Sequence, residues 1–482
     1  MSAVLDPTVS AKIAELADAQ SLAFLTRGNT RRSVPFTLTP CPVSAQAFAQ
    51  LRAAAPLLGL LTQRIADDAD LVQRVHAPLA SADAFFAELL ATHERLHSRA
   101  GQLARVPLLL QRSDFMIDAE AGARLVECNS IAAGMAPFGE QVAGLHAKLA
   151  VGFPQLFTQY LSELPGALLP NEAGNAMAAA MAQAAAAIAR DIDDDGPLRV
   201  LMVVQENEDN VFDQALLADA LQRHGVQTHR RTLRELHSQL AGGRNDALVL
   251  ADVGIVHVVY LRAGYDFRDY VAQDLDTQRC CDALQDTRVF IERHRVALNA
   301  TVAQQLATSK RMQLQLAADN GALLQQLDFE PAAVERLRSV FAPMQEVTAH
   351  SAAMLREAGE AQRWVLKNQG EGGGHCLFGD DIPARLAQMH ERDYGAWTLM
   401  QRLRPAGRDT PTLLFRHDGF EQVSDLTSEI GLFTAHLAQQ ALHDNGDLPG
   451  YLGYLVRSKP PGVAEGGIHS GSGALDSLYL LD

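Results

Sequence analysis

Apolar side chains recur at helical spacing early in the chain. Ile13, Leu16, Ala17, Leu22 and Phe24 predict a helix over 10–26, and the segments 45–75 and 83–100 repeat the pattern. The period then shortens. VPLLLQRSDFMID and ARLVECNS, within 106–131, predict two strands joined by a turn at 119–122. An alanine-rich helix is expected over 174–190. From 197, apolar runs alternate with helical stretches. PLRVLMVV predicts a buried parallel strand, VFDQALLADALQRHG a helix closed by Gly225, QTHRRTL a strand, and GIVHVVYLR a strand over 254–262. Helices dominate again to about 358. Short strands then surround glycine-rich loops: RWVLK, WTLMQRL, and TLLFRHDGFEQVSDL folding back as a hairpin at His417-Asp418-Gly419. The order α+β, then α/β, then α+β points to a small α/β lobe inserted into a larger body.

Length agrees with more than one lobe, since 482 residues exceed what a single core usually serves. The net charge of −16, from 41 basic and 57 acidic side chains, disfavours nucleic acid or an anionic membrane as partner. An anionic small molecule remains a suitable ligand where basic residues gather locally. Five cysteines without framework spacing support neither a disulfide scaffold nor a zinc ribbon. No run resembles a signal peptide or reaches membrane-spanning length, so a cytoplasmic protein is expected.

Four features carry chemistry. Lys367 ends a predicted strand, and Glu371-Gly372-Gly373-Gly374 follows. Successive glycines let backbone amides approach an anion, a strand-borne lysine can neutralise phosphate, and Glu371 can hold magnesium against it. A flexible hinge is the other use of such a run. Second, Glu127 and Asn129 alternate onto one face of their strand, a spacing suited to magnesium, with a solvated strand face as the plain alternative. Third, Arg112, Arg262 and Arg457 lie beside turn signals and would bind carboxylates if they converge. Fourth, His93-Glu94-Arg95-Leu96-His97 forms HExxH on a predicted helix, the pattern of a zinc metallopeptidase. Arg95 places a cation inside it, which disfavours zinc.

Taken in order, PFTLTP, RSDFM, VECNSI, VVQENEDNVFDQ, VVYLRAGY, LATSKRMQ, WVLKNQGEGGGHCLFG, LMQRL, SEIGLF and LVRSK resemble the eukaryotic-type glutathione synthetases, members of the ATP-grasp ligases. The resemblance spans nearly the whole chain. It implies an α/β (α+β) fold with an ATP-grasp core over 1–194 and 300–482. A glycine-rich lid would lie at about 335–410, with an inserted parallel-sheet substrate lobe over 195–299. It further implies a homodimer that joins γ-glutamylcysteine to glycine through an acyl phosphate, using ATP and two magnesium ions. By that resemblance Glu127, Asn129 and Glu371 hold magnesium, and Lys310, Lys367 and Lys459 bind ATP phosphates under Gly372, Gly373 and Gly374. Met400, Gln401, Arg402 and Leu403 line the adenine pocket, Phe378 is a further ATP-binding position, and Glu429 contacts the nucleoside. Arg112, Glu208, Asn210, Gln214, Arg262 and Tyr265 match dipeptide-binding positions. Arg457 matches the arginine for the glycine carboxylate. Arg112, Gly372, Gly373, Arg457 and Glu465 fall at catalytic positions.

Departures concentrate where substrate is read. Ala132, Ala133 and Gly134 stand where the family usually shows serines flanking an alanine, so hydroxyl donors are missing. Ile468 and His469 replace two small residues near the acceptor, Glu465 an aspartate, Asn368 a proline, and Phe378 a tyrosine. The same ligation with another donor dipeptide or amine is therefore the alternative. A nucleotide-binding homologue without turnover is disfavoured by the retention of Lys310, Lys367, Glu371 and Lys459.

Overall fold

In the computed structural model the described residues are 5–26, 28–98, 103–161, 165–272, 274–275, 282–370, 376–408, 410–416, 419–443, 448–463 and 466–482. Most strands join one large mixed sheet. Strand Val106–Asp118 is its pivot. One end of this strand lies parallel to Ala297–Asn299, and beyond that come Val258–Leu261, Arg199–Val203 and Gln227–Arg231, all parallel. Its other neighbours, Gly122–Asn129 and Thr427–Leu437, are antiparallel, and Tyr451–Lys459 pairs outward from the latter. The α/β segment and the flanking segments thus share one hydrogen-bonded sheet. Each sheet face buries its own core. Leu108, Leu110, Phe433 and Leu455 pack beneath helices Ala136–Gly152 and Ala173–Asp191. On the opposite face, Phe115, Leu125, Ile430 and Val456 pack against helix Ala45–Asp67.

A four-stranded antiparallel sheet, Met344–Glu346, Trp397–Gln401, Trp364–Asn368 and Cys376–Phe378, carries a separate apolar cluster that includes Leu366, Ile382, Leu386 and Leu399. The hairpin of Thr412–Arg416 with Gly419–Val423 extends the far edge of the large sheet. Its predicted tip, His417 and Asp418, lies outside the described residues.

Three predicted elements end elsewhere. The first helix covers Pro7–Ala19, and Ser21 turns the chain with φ 56°. Leu22 and Phe24 are buried as predicted, but around the strand Ala23–Leu25, where their spacing of two fits β periodicity. The expected helix over 45–75 divides at Asp68, which leaves helical geometry and accepts a hydrogen bond from Leu71 N at 2.9 Å, starting helix Ala69–His76. The strand expected over 254–262 changes partners at His257. Gly254–Val256 pairs with Leu248–Leu250 in a separate sheet, whereas Val258–Leu261 enters the large one. His257 Nδ1 accepts from Arg199 N at 3.1 Å and its Nε2 meets Asp194 at 2.9 Å, which fixes the crossover. An unbroken apolar run carries no sign of such a change.

Candidate active site

The site is built on one face of the large sheet. Arg112 and Asp114 alternate on Val106–Asp118, directly opposite Asn129 and Glu127. Simple alternation would put Leu125 on the same face as Glu127. A bulge prevents this, because Glu127 pairs with Asp114 while Leu125 pairs with the next residue, Phe115. Leu125 therefore enters the core and Glu127 faces the site. On the other side, Gly431 stands opposite Asp114, and Glu429 stands opposite Arg457 on the following strand. Gly431 is required here, since a Cβ would fall 2.6 Å from Asp114 Oδ1.

These side chains form a dense ionic web. Arg112 donates to Asp114 through Nε and Nη2 at 2.7 and 2.8 Å, a bidentate pair. Asn129 Nδ2 and Arg457 Nη2 both donate to Asp114 Oδ2 at 3.0 Å. Arg457 also holds Glu429 by hydrogen bond. Two lysines close the row. Lys310, the first residue of helix Lys310–Ala317, and Lys367, on Trp364–Asn368, bring Nζ to 3.7 and 3.6 Å from Glu127 Oε2. Each also donates to a backbone carbonyl, Lys310 to Gly370 and Lys367 to Val126. Burial would push the Glu127 carboxyl up, but Lys310, Lys367, Arg457 and Arg112 outweigh it and hold it at about 2. Glu429 is raised, first by burial and then by Asp114 and Glu127, against Arg457. At the end of Tyr451–Lys459, the stem of Lys459 lies against Gly466.

A second cluster lies beyond the carboxyl ends of the parallel strands Arg199–Val203 and Val258–Leu261, the usual ligand end of such sheets. Arg262 donates to Glu208 Oε1 at 2.8 Å and to Asp213 Oδ2 at 3.3 Å. Burial opposes its charge, yet Glu208, Tyr260 and Asp213 raise its pKa. Asp213 in turn accepts from Met135 N and Phe138 N. Tyr265 has its phenol pushed up to about 12, chiefly by burial. Several polar atoms here are buried without a partner among the described residues: Glu208 Oε2, Asn210 Oδ1, Gln214 Oε1 and Nε2, and Arg262 Nε. Asn210 precedes helix Val211–Arg223 but makes no capping hydrogen bond with its side chain. Such orphaned groups are costly in an unliganded fold and mark where a polar ligand would complete them.

Gly134 joins the two clusters. Its carbonyl accepts from Arg112 Nη1 at 3.2 Å, and a Cβ on it would fall 2.0 Å from Arg262 Nη1. The guanidinium thus occupies the space of a side chain at 134. Ala133 is fully buried, its carbonyl accepting from Tyr260 OH, and Ala132 adopts φ 50°.

The remaining candidates are spread around this centre. Met400 and Gln401 end Trp397–Gln401, with Met400 Sδ 4.0 Å from Lys367 Nζ. Arg402 and Leu403 continue from that strand, Arg402 lying over the Phe378 ring at 5.6 Å. Ile468 is buried in the core that also contains Phe24. His469 stacks on Phe24 at 4.5 Å and its Nδ1 meets Asp209 at 2.9 Å. Glu371, Gly372, Gly373, Gly374 and Glu465 lie outside the described residues. Sequence reasoning missed Asp114 and Asp213. Both sit inside quoted blocks, RSDFM and NVFDQ, and both are acids beside predicted buried positions, which was the available signal.

The HExxH helix builds no metal centre among the described residues, where no group of three metal-ligating side chains occurs. His93 is buried and pushed down to about 3 by burial and by His97, with its Nδ1 near Gln73 Nε2. Arg95 reaches outward to Asp286.

The comparisons with known proteins agree with the ordered blocks and replace the metallopeptidase reading. A sequence model described as "Eukaryotic glutathione synthase, ATP binding domain" matches residues 9–480. Glutathione synthetase of Homo sapiens is 27% identical over 92% of this chain and 90% of its own length. The chloroplastic glutathione synthetase of Solanum lycopersicum is 28% identical over 93% of this chain and 78% of its own length. A solved glutathione synthetase-like effector of Globodera pallida shares the fold at a TM-score of 0.72, with 18% identity, covering 99% of this chain and 98% of that one. A match over nearly every residue, on a fold that brings lysines, arginines and carboxylates together, leads to one conclusion: this chain belongs to the eukaryotic glutathione synthase family.

Proposed function

We propose that this chain is an ATP-dependent carbon–nitrogen ligase that joins γ-glutamylcysteine to glycine. The carrying observation is the convergence of Lys310 and Lys367 on Glu127, with Asn129 beside it and Arg112 and Arg457 on the same sheet face. In the proposed reaction a donor carboxylate oxygen attacks the γ-phosphorus of ATP and ADP leaves. The amine nitrogen then attacks the acyl carbon, phosphate departs, and the amine proton is released. The chain's part is charge placement and exclusion of water from the activated acyl group. Lys310, Lys367 and Lys459 would offset phosphate charge, Arg112 and Arg457 would hold donor and acceptor carboxylates, and Glu208, Asn210, Gln214, Arg262 and Tyr265 would grip the rest of the dipeptide.

The donor set fits magnesium. Glu127 is held ionised, and Asn129 spends its amide NH2 on Asp114, which leaves its carbonyl oxygen as the ligating group. Glu127, Asn129 and Glu371 would hold the ion, which when bound would neutralise phosphate charge. In this reading residues 195–299 form the substrate lobe and 335–410 the lid with the adenine pocket, and the protein is a cytoplasmic homodimer. No helix among the described residues is long and apolar enough to cross a membrane.

A second reading keeps the chemistry and changes the donor or the amine. It is favoured by Gly134, whose side-chain space Arg262 fills, and by Ile468, which packs into the core. ATP-dependent phosphate release, assayed with γ-glutamyl dipeptides and amines supplied singly and together, tests both. The expected result is release that needs both substrates. No pair exceeding the ATP-only background would overturn the ligase reading, and a better pair than γ-glutamylcysteine with glycine would select the second.

A further inference from the structure

Asp114 is the hub of the site. It is fully buried. Its Oδ1 accepts from Arg112 Nε, and its Oδ2 accepts from Arg112 Nη2, Asn129 Nδ2 and Arg457 Nη2. These donors come from three separate strands and fill nearly every lone-pair direction of the carboxylate. The opposing strand makes room through Gly431, whose missing Cβ would fall 2.6 Å from Oδ1 and 2.8 Å from Arg112 Cδ. Charge and space are both arranged around this one group.

We propose that Asp114 is a positioning residue for the ligation, setting the separation between the donor-side arginine and the acceptor-side arginine. The inference rests on the ligase reading above. Two nitrogens bonded to one oxygen lie no more than about 6 Å apart, so sharing Oδ2 pins Arg112 to Arg457. Two substrate carboxylates held by those arginines would then be presented at a fixed spacing, and a bimolecular step gains most of its rate from such placement. A carboxylate is needed because Arg112 bonds both oxygens, whereas an amide would turn its NH2 toward one of the donor nitrogens.

The test is Asp114→Asn in the full chain, with ADP binding measured by calorimetry beside steady-state kinetics on the best donor and amine. The expected result is a rise in KM for both donor and amine and a fall in kcat/KM of about 10²- to 10³-fold, with ADP affinity held or tightened because a negative charge leaves a cationic site. Gly431→Ala serves as the second variant, since it displaces the carboxylate without removing it and should give the same split. Donor and amine KM within twofold of the parent would overturn the role. So would ADP affinity falling in step with activity, or neither variant folding, because Asp114 would then be scaffold. A parent enzyme that binds ADP but turns over no substrate pair overturns the ligase reading and this inference together, whereas a working parent with unaffected variants overturns this inference alone.

Discussion

Gly134 offers a test in which the intuitive repair is expected to fail. The family's usual serine there suggests that Gly134→Ser would restore a lost hydroxyl and improve donor binding. The geometry predicts the opposite. A Cβ at 134 would lie 2.0 Å from Arg262 Nη1, 2.7 Å from Cζ and 2.9 Å from Nη2. Reaching an ordinary contact requires the guanidinium to retreat by about 1.5 Å. The bonds to Glu208 at 2.8 Å and Asp213 at 3.3 Å lack that slack, so at least one must break. Breaking a buried pair outright costs about 3–5 kcal/mol, and an arginine that swings and keeps one partner would lose about half of that. Because Arg262 is among the groups proposed to grip the donor, its displacement should also raise donor KM about 10- to 100-fold in Gly134→Ala and Gly134→Ser alike, the loss of one charge-assisted contact of about 1.5–3 kcal/mol at about 1.4 kcal/mol per tenfold. Nucleotide affinity should hold, since no lysine is touched. Initial rates against donor at saturating ATP and amine measure this. A Gly134→Ser enzyme with donor KM equal to or below the parent's would refute the reasoning.

Three further outcomes follow from particular contacts. Lys367→Met, which removes one of two cations flanking Glu127, should raise the KM for ATP about 10- to 100-fold and leave donor KM within threefold, as read by varying ATP alone. His469→Ala, which removes the side-chain link from the C-terminal loop to Asp209, should weaken donor binding only about 2- to 5-fold because the pair is partly exposed; kinetics indistinguishable from the parent would count against it. Burial holds His76 at about 4, His93 at about 3 and His436 at about 4. Below pH 6.5 the unfolded chain takes up protons that the folded one refuses, so stability should fall as pH drops from 6.5 toward 4, by up to about 1.4 kcal/mol per pH unit for each histidine. Urea titrations from pH 7 to pH 5 should show this, and His436→Asn should flatten the slope; an unchanged slope in that variant would remove His436 from the account.

Periodicity located the long elements because burial demands it. The alanine-rich helix, observed over Ala173–Asp191, and the pair Val106–Asp118 with Gly122–Asn129 each repeat their pattern long enough to be distinctive. Short central strands were not legible in this way. Ala297–Asn299 is three residues long and became a strand only because Val106–Asp118 and Val258–Leu261 lie on either side of it. Gly254–Val256 and Val258–Leu261 are one apolar run in sequence and two sheets in space.

For the site, the chain's own order determined which residue types are available. Ten motif blocks, in sequence, pointed to the family before any coordinates and supplied the candidate lysines, arginines and acids, because residue identity is local information. Placement is not local. A bulge at Val126 decided that Glu127 faces the site while Leu125 enters the core, the strand register decided that Asp114 meets Asn129 and Arg457, and the packing of Arg262 against a bare glycine decided the shape of the second cluster. Hydrogen-bond register and excluded volume arise between strands and not within them, whether the partner is Asn129, 15 residues from Asp114, or Arg457, 343 residues away, so the tertiary structure alone could settle them.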